Sequence, residues 1–473
     1  MPIKFGTDGW RALIAEDFTF DNVRICAQGT ADFLKQFGLA SKGLYIGYDT
    51  RFASEHFAEA VAEVVTANGI KTTLADRAAP TPSVSYTIAS GGYGAGVIIT
   101  ASHNSGRYNG YKFKAGYGGT ATIEDMDKLE SLIAKVESSG NVKRGTLEDA
   151  EKNGLLIRSN PQPDYLAKVS QIVDLGVLKE AGLSVIADPM YGSGLGYFPA
   201  LLSDGKTNLK EIHGHRNPAF PGMAQPEPLA HNLGELIEAV KSSKADVGLA
   251  TDGDADRVGV VDEHGNFLTT LETFSLLCFH RLEVLGQRGP LVRSITMSSM
   301  IDALGKLYNV PVFVEPVGFK YLGPVMMREN ALAAGEESGG YAFSGHIPER
   351  DGILSGLFLL EMMAKTGKAV SELRDLLISK VGPHVYHRVD LAYAPDQREV
   401  ILSRVKNAKP TSLAGLAVRE IDSRDGFRFV LENDYWALIR FSGTEPLLRT
   451  YAEADSQSSV DKLLKELRHL AGI

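Results

Sequence analysis

A short apolar run, a stretch of helical periodicity and a second short apolar run recur along this chain as far as Gly382-Pro383, and that alternation dictates a layered α/β architecture. Leu44–Tyr48 (LYIGY) is β-rich. In Ser54–Ala67 the apolar residues Phe57, Val61, Val64 and Val65 fall at helical spacing, with Ser54 placed as N-cap and Gly69 as the stop. Strands are expected at 70–74 and 95–100. The same grammar returns at 183–187 and 247–250, with helices around 194–203 and 232–243, and again at 291–295, 310–314 and 331–334. Beyond Gly382-Pro383 the pattern changes to strands at 385–391, Phe427–Leu431, Trp436–Phe441 and 448–454, with helices near 396–407 and 458–471, a smaller α+β unit.

Three predicted strands end in polar loops of unusual content: Ser102-His103-Asn104, Asp252-Gly253-Asp254-Ala255-Asp256 and Glu336-Glu337-Ser338. In open parallel sheets ligands bind beyond the carboxyl ends of strands, so the loops are expected to face one cleft rather than lie as unrelated surface turns. Over 473 residues, at about 150 residues per domain, three or four domains are expected. The boundaries are set at 1–157, 158–263, 264–382 and 383–473.

Composition limits the partners. The 49 basic and 58 acidic residues leave a net charge of −9, which disfavours nucleic acid and membrane surfaces, so an anionic ligand must be met by a local basic cluster. Two distant cysteines, Cys26 and Cys278, make neither a disulfide framework nor a thiolate metal site and suit a reducing cytosol. The N-terminus lacks a signal-peptide core and no apolar run is long enough to span a bilayer, so a cytoplasmic protein is expected. The apolar stretch 354–363 reads as core rather than as a dimer face, which leaves monomer or homodimer open.

Asp252, Asp254 and Asp256 crowd three carboxylates into one turn, an arrangement that a hard divalent cation with oxygen ligands relieves; a solvated acidic turn is the alternative. An EF-hand is rejected, because Arg257 stands where its loop needs glycine and both flanks (VGLAT, VGVVD) read as strands. Arg257 directly after the third aspartate suits an anion bridging to the metal. Ser102 at a strand-to-loop transition can act as a nucleophile, although it lacks the Gly-x-Ser-x-Gly elbow. Lys112 could shuttle protons near a metal-bound phosphate if its pKa were depressed. Ser442-Gly443-Thr444-Glu445-Pro446 with Arg449 offers amides, hydroxyls and a guanidinium as a phosphate cradle, or an ordinary turn.

Taken together, FGTDGWR (5–11), TASHN and NGYK (100–104, 109–112), TDGDADR (251–257), GEESGG (335–340), HIPERDG (346–352) and FSGTEPLLR (441–449) resemble, in order, the motifs of the α-D-phosphohexomutase family, the phosphoglucomutase/phosphomannomutase group. The resemblance implies three related αβα-type domains with mixed, mostly parallel sheets and a smaller C-terminal domain around a central cleft. It implies a phosphoserine at Ser102, flanked by His103, and one Mg²⁺ held by Asp252, Asp254, Asp256 and a phosphoryl oxygen on Ser102. Glu336 and Ser338 would bind sugar hydroxyls. Ser442, Gly443, Thr444 and Arg449 would bind the non-reacting phosphate, and Arg11, Lys320 and Arg350 would line the cleft. Lys112 would act as general acid or base, with His346 as second choice.

The implied activity interconverts hexose 1- and 6-phosphates, glucose first and mannose also, through a bisphosphorylated sugar, with hexose 1,6-bisphosphate as activator. Phosphoglucosamine mutase, a metal-dependent sugar phosphatase and a non-enzymatic sugar-phosphate sensor are the alternatives. Three positions depart from the family pattern: Ser105 replaces the proline after TASHN, Gly340 replaces a histidine that some relatives use for proton transfer, and Arg350 stands where glucose-specific relatives can carry lysine.

Overall fold

The computed structural model describes residues 3–6, 8–442 and 446–473. Among them lie four sheets. The first runs Trp10–Leu13, Tyr108–Ala115, Ala95–Ile99, Leu44–Tyr48, Thr72–Ala75, Leu156–Ser159 in spatial order. The second runs Phe267–Leu268, Val258–Asp262, Val247–Thr251, Ser184–Asp188, Asn208–Glu211, and the third Val312–Glu315, Leu291–Ser294, Ala333–Gly335, Tyr341–Phe343. Each of these three has a parallel centre and an antiparallel flank. The fourth sheet carries Val385–Ala392, Leu447–Ala454, Trp436–Phe441, Phe427–Leu431, Leu416–Asp422 and Ser412–Leu413, all paired antiparallel, beneath helices Arg398–Asn407 and Gln457–Ala471.

The repeat is functional in its placement. In each of the first three sheets the last parallel strand turns back into an antiparallel neighbour, and the three polar loops are those turns. Ala95–Ile99 leads through Ser102 to Tyr108–Ala115. Val247–Thr251 leads through the aspartates to Val258–Asp262. Ala333–Gly335 leads through Glu336 to Tyr341–Phe343.

Several local expectations shift. Ser54 is the first residue inside its helix rather than the cap; Ala53 caps in a left-handed conformation, and the Ser54 hydroxyl donates to Asp49 Oδ1 at 2.8 Å. Helix 194–203 is shorter, Tyr197–Leu202, because the preceding residues form the turn that meets the acidic loop. The boundary set at 157 falls inside Leu156–Ser159, whose pairing with Thr72–Ala75 makes it the edge of the first sheet; Phe267–Leu268, beyond the boundary set at 263, pairs into the second sheet.

The first unit has its own apolar core and so does the C-terminal one, whereas the second and third share a continuous core around Leu249, Phe274, Tyr341 and Leu357. Helix Gly352–Thr366 is buried from Gly352 to Met363, as expected of a core element. No helix among the described residues is long and apolar enough to cross a membrane.

Candidate active site

The serine loop is built on a buried guanidinium. Arg51, at the end of strand Leu44–Tyr48, is fully buried and pairs with Asp49 Oδ2 at 3.1 Å. Its remaining nitrogens donate to four carbonyls of the loop: Ser102 and Asn104 at 2.5 Å, Ser105 at 2.8 Å and Tyr108 at 3.1 Å. Asp49 also accepts from the Thr100 hydroxyl at 2.6 Å, and Thr100 Oγ1 in turn accepts from the Ser102 amide at 2.8 Å. The clamp holds Ser102 at φ +50°, a left-handed conformation that costs of order 1–3 kcal/mol for a residue with a Cβ and recurs at functional sites. Arg51 also holds the carbonyl of Ser105 itself, so the loop is pinned without a proline at that position.

This geometry aims Ser102 at the acidic turn. Its hydroxyl donates to Asp252 Oδ2 at 2.7 Å and lies 3.3 Å from His103 Nδ1. Gly253 is required by the approach: a Cβ there would sit 2.5 Å from the Ser102 carbonyl oxygen. The three aspartates are fully buried, with one oxygen of each within 4.8 Å of the others. Burial, then Asp256 and Asp254, pushes the Asp252 carboxyl well above the usual carboxylate range. Among the described residues, Asp254 Oδ1 and Asp256 Oδ1 are buried with no hydrogen-bond partner. An all-oxygen cluster with two orphaned acceptors fits a hard divalent cation.

A ring of further charges surrounds the aspartates. Lys112 Nζ lies 2.8 Å from Asp254, 3.1 Å from Asp256 and 2.8 Å from Asp8. Burial opposes its charge, but Asp254, Asp256 and Asp8 outweigh burial and hold it above the ordinary lysine range, so the depressed pKa expected of a proton shuttle is not found. Arg350 reaches Asp8 at 2.5 Å, Asp256 at 2.9 Å and Glu349 at 3.2 Å, with Glu336 3.9 Å away. Lys114 completes the network with Glu349 at 2.7 Å and Asp8 at 3.0 Å.

Gly340 and Arg350 are coupled. A Cβ at 340 would lie 2.4 Å from Arg350 Cδ, so any side chain at 340 would have to displace Arg350. Arg257 donates its amide to Asp252 Oδ1 at 3.1 Å and its guanidinium to Glu227 at 2.8 Å. Arg11 donates to Asn104 Oδ1 at 2.8 Å. Burial, then Arg257, Arg11 and Lys112, pushes the His103 imidazole well below its ordinary range, so it is neutral at pH 7.

In the loop Glu336-Glu337-Ser338, Glu336 is buried and accepts from the Gly318 amide at 2.7 Å, and burial raises its carboxyl against the pull of Arg350. Ser338 is partly exposed beside it. Lys320 sits on helix Phe319–Arg328, its ammonium 5.4 Å from the Tyr321 ring.

One expectation is not met in place. His346 is buried against Tyr86 and Tyr165, with Nε2 3.1 Å from Asp351, the residue that caps helix Gly352–Thr366; it braces that cap rather than facing the serine. Ser442 and Arg449 belong to the C-terminal unit: the Ser442 amide donates to the Leu447 carbonyl at 2.9 Å, and Arg449 lies 3.8 Å from Asp390. Gly443 and Thr444 lie outside the described residues.

Sequence reasoning singled out neither Arg51 and Asp49 nor Asp8, Lys114 and Glu349. A signal existed for each: Asp49-Thr50-Arg51 is another polar strand end, Lys114 shares a strand face with Lys112, and Asp8 and Glu349 stand inside quoted motifs.

The chain matches four successive phosphoglucomutase/phosphomannomutase domains: α/β/α domain I over residues 2–140, domain II over 163–265, domain III over 272–381 and the C-terminal domain over 401–470. It is 29% identical to a phosphoglucomutase/phosphomannomutase of Thermococcus kodakarensis, covering 98% of this chain and 96% of that one. It is 30% identical to a probable phosphoglucosamine mutase of Methanosphaera stadtmanae, covering 98% of each. A solved structure of a "putative phosphomannomutase" from Thermus thermophilus superposes with a TM-score of 0.85 at 32% identity over 99% of both chains. With its serine loop, acidic turn and Glu336 loop on three repeated sheets, this chain belongs to the phosphoglucomutase/phosphomannomutase family, the α-D-phosphohexomutases, and is a phosphohexomutase enzyme.

Proposed function

We propose that this enzyme interconverts hexose 1-phosphate and hexose 6-phosphate, with glucose preferred and mannose accepted, by passing a phosphoryl group through Ser102. The observation that carries the reading is the 2.7 Å contact between the Ser102 hydroxyl and Asp252, inside a cluster with orphaned acceptor oxygens. Asp252, Asp254 and Asp256, with a phosphoryl oxygen on Ser102, would hold the ion, Mg²⁺ on this reading. Once bound, that ion supplies neutralisation of the charge on the transferring group.

The protein's own residues do the rest. The phosphoserine Oγ–P bond breaks as a sugar hydroxyl oxygen bonds to phosphorus; the proton that the sugar hydroxyl gives up ends on the serine oxygen, which regains its hydrogen bond to Asp252. The bisphosphorylated sugar then turns and returns its other phosphate to the serine. Lys112, locked among Asp8, Asp254 and Asp256, balances the charge of the aspartates, and Arg257 and Arg11 flank the entering phosphate. Glu336 and Ser338 read the sugar hydroxyls in both orientations. Ser442, Gly443, Thr444 and Arg449 grip the phosphate that is not reacting, and hexose 1,6-bisphosphate primes the serine.

Gly after Gly-Glu-Glu-Ser favours a glucose-type sugar loop. Glucosamine is the second reading, favoured by relatives of comparable identity that are named phosphoglucosamine mutases. Rates compared side by side on glucose, mannose and glucosamine 1-phosphates, with Mg²⁺ and a trace of bisphosphate, test the order: glucose fastest is expected, and glucosamine fastest would replace it. Stoichiometric release of inorganic phosphate would mark a phosphatase instead.

A further inference from the structure

Between the two sugar readers of the third unit stands a carboxylate that points away from them, Glu337. Its Oε1 accepts from the Tyr386 hydroxyl at 3.0 Å and lies 3.3 Å from Arg388 Nη1, both on strand Val385–Ala392, which follows directly on Gly382-Pro383. The backbone of Glu337 is fixed as well, its carbonyl accepting from the Thr270 hydroxyl at 2.6 Å.

Arg388 carries the contact onward. Its Nε and Nη2 grip both oxygens of Asp390 at 2.7 Å each, and its guanidinium lies 5.6 Å from the Tyr451 ring. Asp390 is the register partner of Arg449, with Asp390 Oδ2 3.8 Å from Arg449 Nε. Arg449 Nε is itself buried with no hydrogen-bond partner among the described residues. Two carboxylates and two guanidiniums thus run from the sugar loop of one unit to the phosphate-binding arginine of the next.

We propose that Glu337 and Arg388 are positioning residues that hold the C-terminal phosphate cradle in register with the sugar-reading loop, so that ring hydroxyls and the distant phosphate of one hexose phosphate are recognised at a fixed spacing. The proposal rests on the reading above that Glu336 and Ser338 meet hydroxyls and Arg449 meets phosphate. Arg388 holds Asp390 bidentately, and Asp390 Oδ2 in turn faces Arg449 Nε at 3.8 Å, so the orientation of Arg449 depends on Arg388. A lysine at 388 has one nitrogen and cannot hold Glu337 and Asp390 in this fork.

A double-mutant cycle on the full-length enzyme tests it, with KM for glucose 1-phosphate and the bisphosphate concentration for half-maximal activity as readouts. Glu337→Ala and Arg449→Ala are each expected to raise KM by about tenfold, and the double variant by little more than Arg449→Ala alone, because the two act through one contact. Glu337→Ala is also expected to need more bisphosphate, since a cradle out of register lets the turning intermediate escape. Arg388→Lys is expected to fail like Glu337→Ala, while Glu337→Gln, which keeps an acceptor for Tyr386, keeps most of the wild-type affinity even if the alanine variant folds poorly. Additive effects of Glu337→Ala and Arg449→Ala would overturn the proposal alone. An unchanged KM in Arg449→Ala would overturn the cradle assignment and the proposal with it.

Discussion

Arg51 is the residue on which the serine loop depends, although no substrate atom need ever touch it. Removing it leaves Asp49 buried without its cation and four loop carbonyls without a donor. Arg51→Ala is therefore expected to cost about 3–5 kcal/mol in urea unfolding, the price of breaking a buried pair from one side. Gly340→Ala tests packing rather than charge: the new Cβ would press on Arg350 Cδ and should cost about 1–3 kcal/mol in the same assay, with turnover falling as Arg350 leaves Asp8 and Asp256. Asp254→Asn should lower turnover on the order of 100-fold and raise the Mg²⁺ concentration for half-maximal rate; unchanged kinetics would remove Asp254 from the ligand set. Ser102 and the aspartates were legible because their chemistry is written in adjacent positions. Which carboxylates Lys112 and Arg350 pair with was not. Asp8 and Arg350 are separated by 342 positions, and nothing in either one's neighbourhood names the other.

At the scale of elements, the three polar loops were legible as the strand ends of a recurring unit, but the strand that follows was legible only after the acidic turn. Each is the turn from the last parallel strand into an antiparallel one; Val258–Asp262 reads as a strand, whereas Tyr108–Ala115 is interrupted by polar and charged residues and Tyr341–Phe343 is only three residues long. Leu416–Asp422 escaped notice for a related reason: it is amphipathic, with charged Arg419 and Glu420 in its middle. The junction between the third and fourth units carries a testable pH dependence. His384 lies 3.1 Å from Glu453, and Glu453 also accepts from the Ser299 amide and the Trp436 indole. Burial would raise the Glu453 carboxyl, but the hydrogen bond and charge of His384 and the serine hydroxyls hold it at about 2. Burial would lower His384, but Glu453 outweighs burial and raises it. The raised histidine contributes stability that is complete below its unfolded pKa near ~6.5 and lost as pH rises through its folded value. The depressed Glu453 contributes stability present above its unfolded pKa near ~4.3 and lost as pH falls toward its folded value. Thermal unfolding followed against pH should show both losses, and His384→Gln should abolish the alkaline one. An identical profile in that variant would refute the assignment.

Over the whole molecule, the buried charges join three units at one place: Lys112 and Lys114 from the first, Asp254 and Asp256 from the second, Glu349 and Arg350 from the third, with Asp8 among them. Their mutual position is set by charge as much as by apolar contact, so a divalent ion that binds the aspartates should stabilise the assembly, by mass action, as well as activate it. Mg²⁺ is expected to raise the unfolding temperature in a concentration-dependent way and EDTA to reverse it, an effect that Asp252→Asn should remove. The most direct measurement of the whole account is the fate of phosphate on Ser102. Enzyme incubated with ³²P-labelled glucose 1,6-bisphosphate and Mg²⁺ should carry label on the peptide containing Ser102, and unlabelled glucose 1-phosphate should chase that label into sugar phosphate. Active isomerisation with no label on Ser102, or label that leaves only as inorganic phosphate, would contradict it.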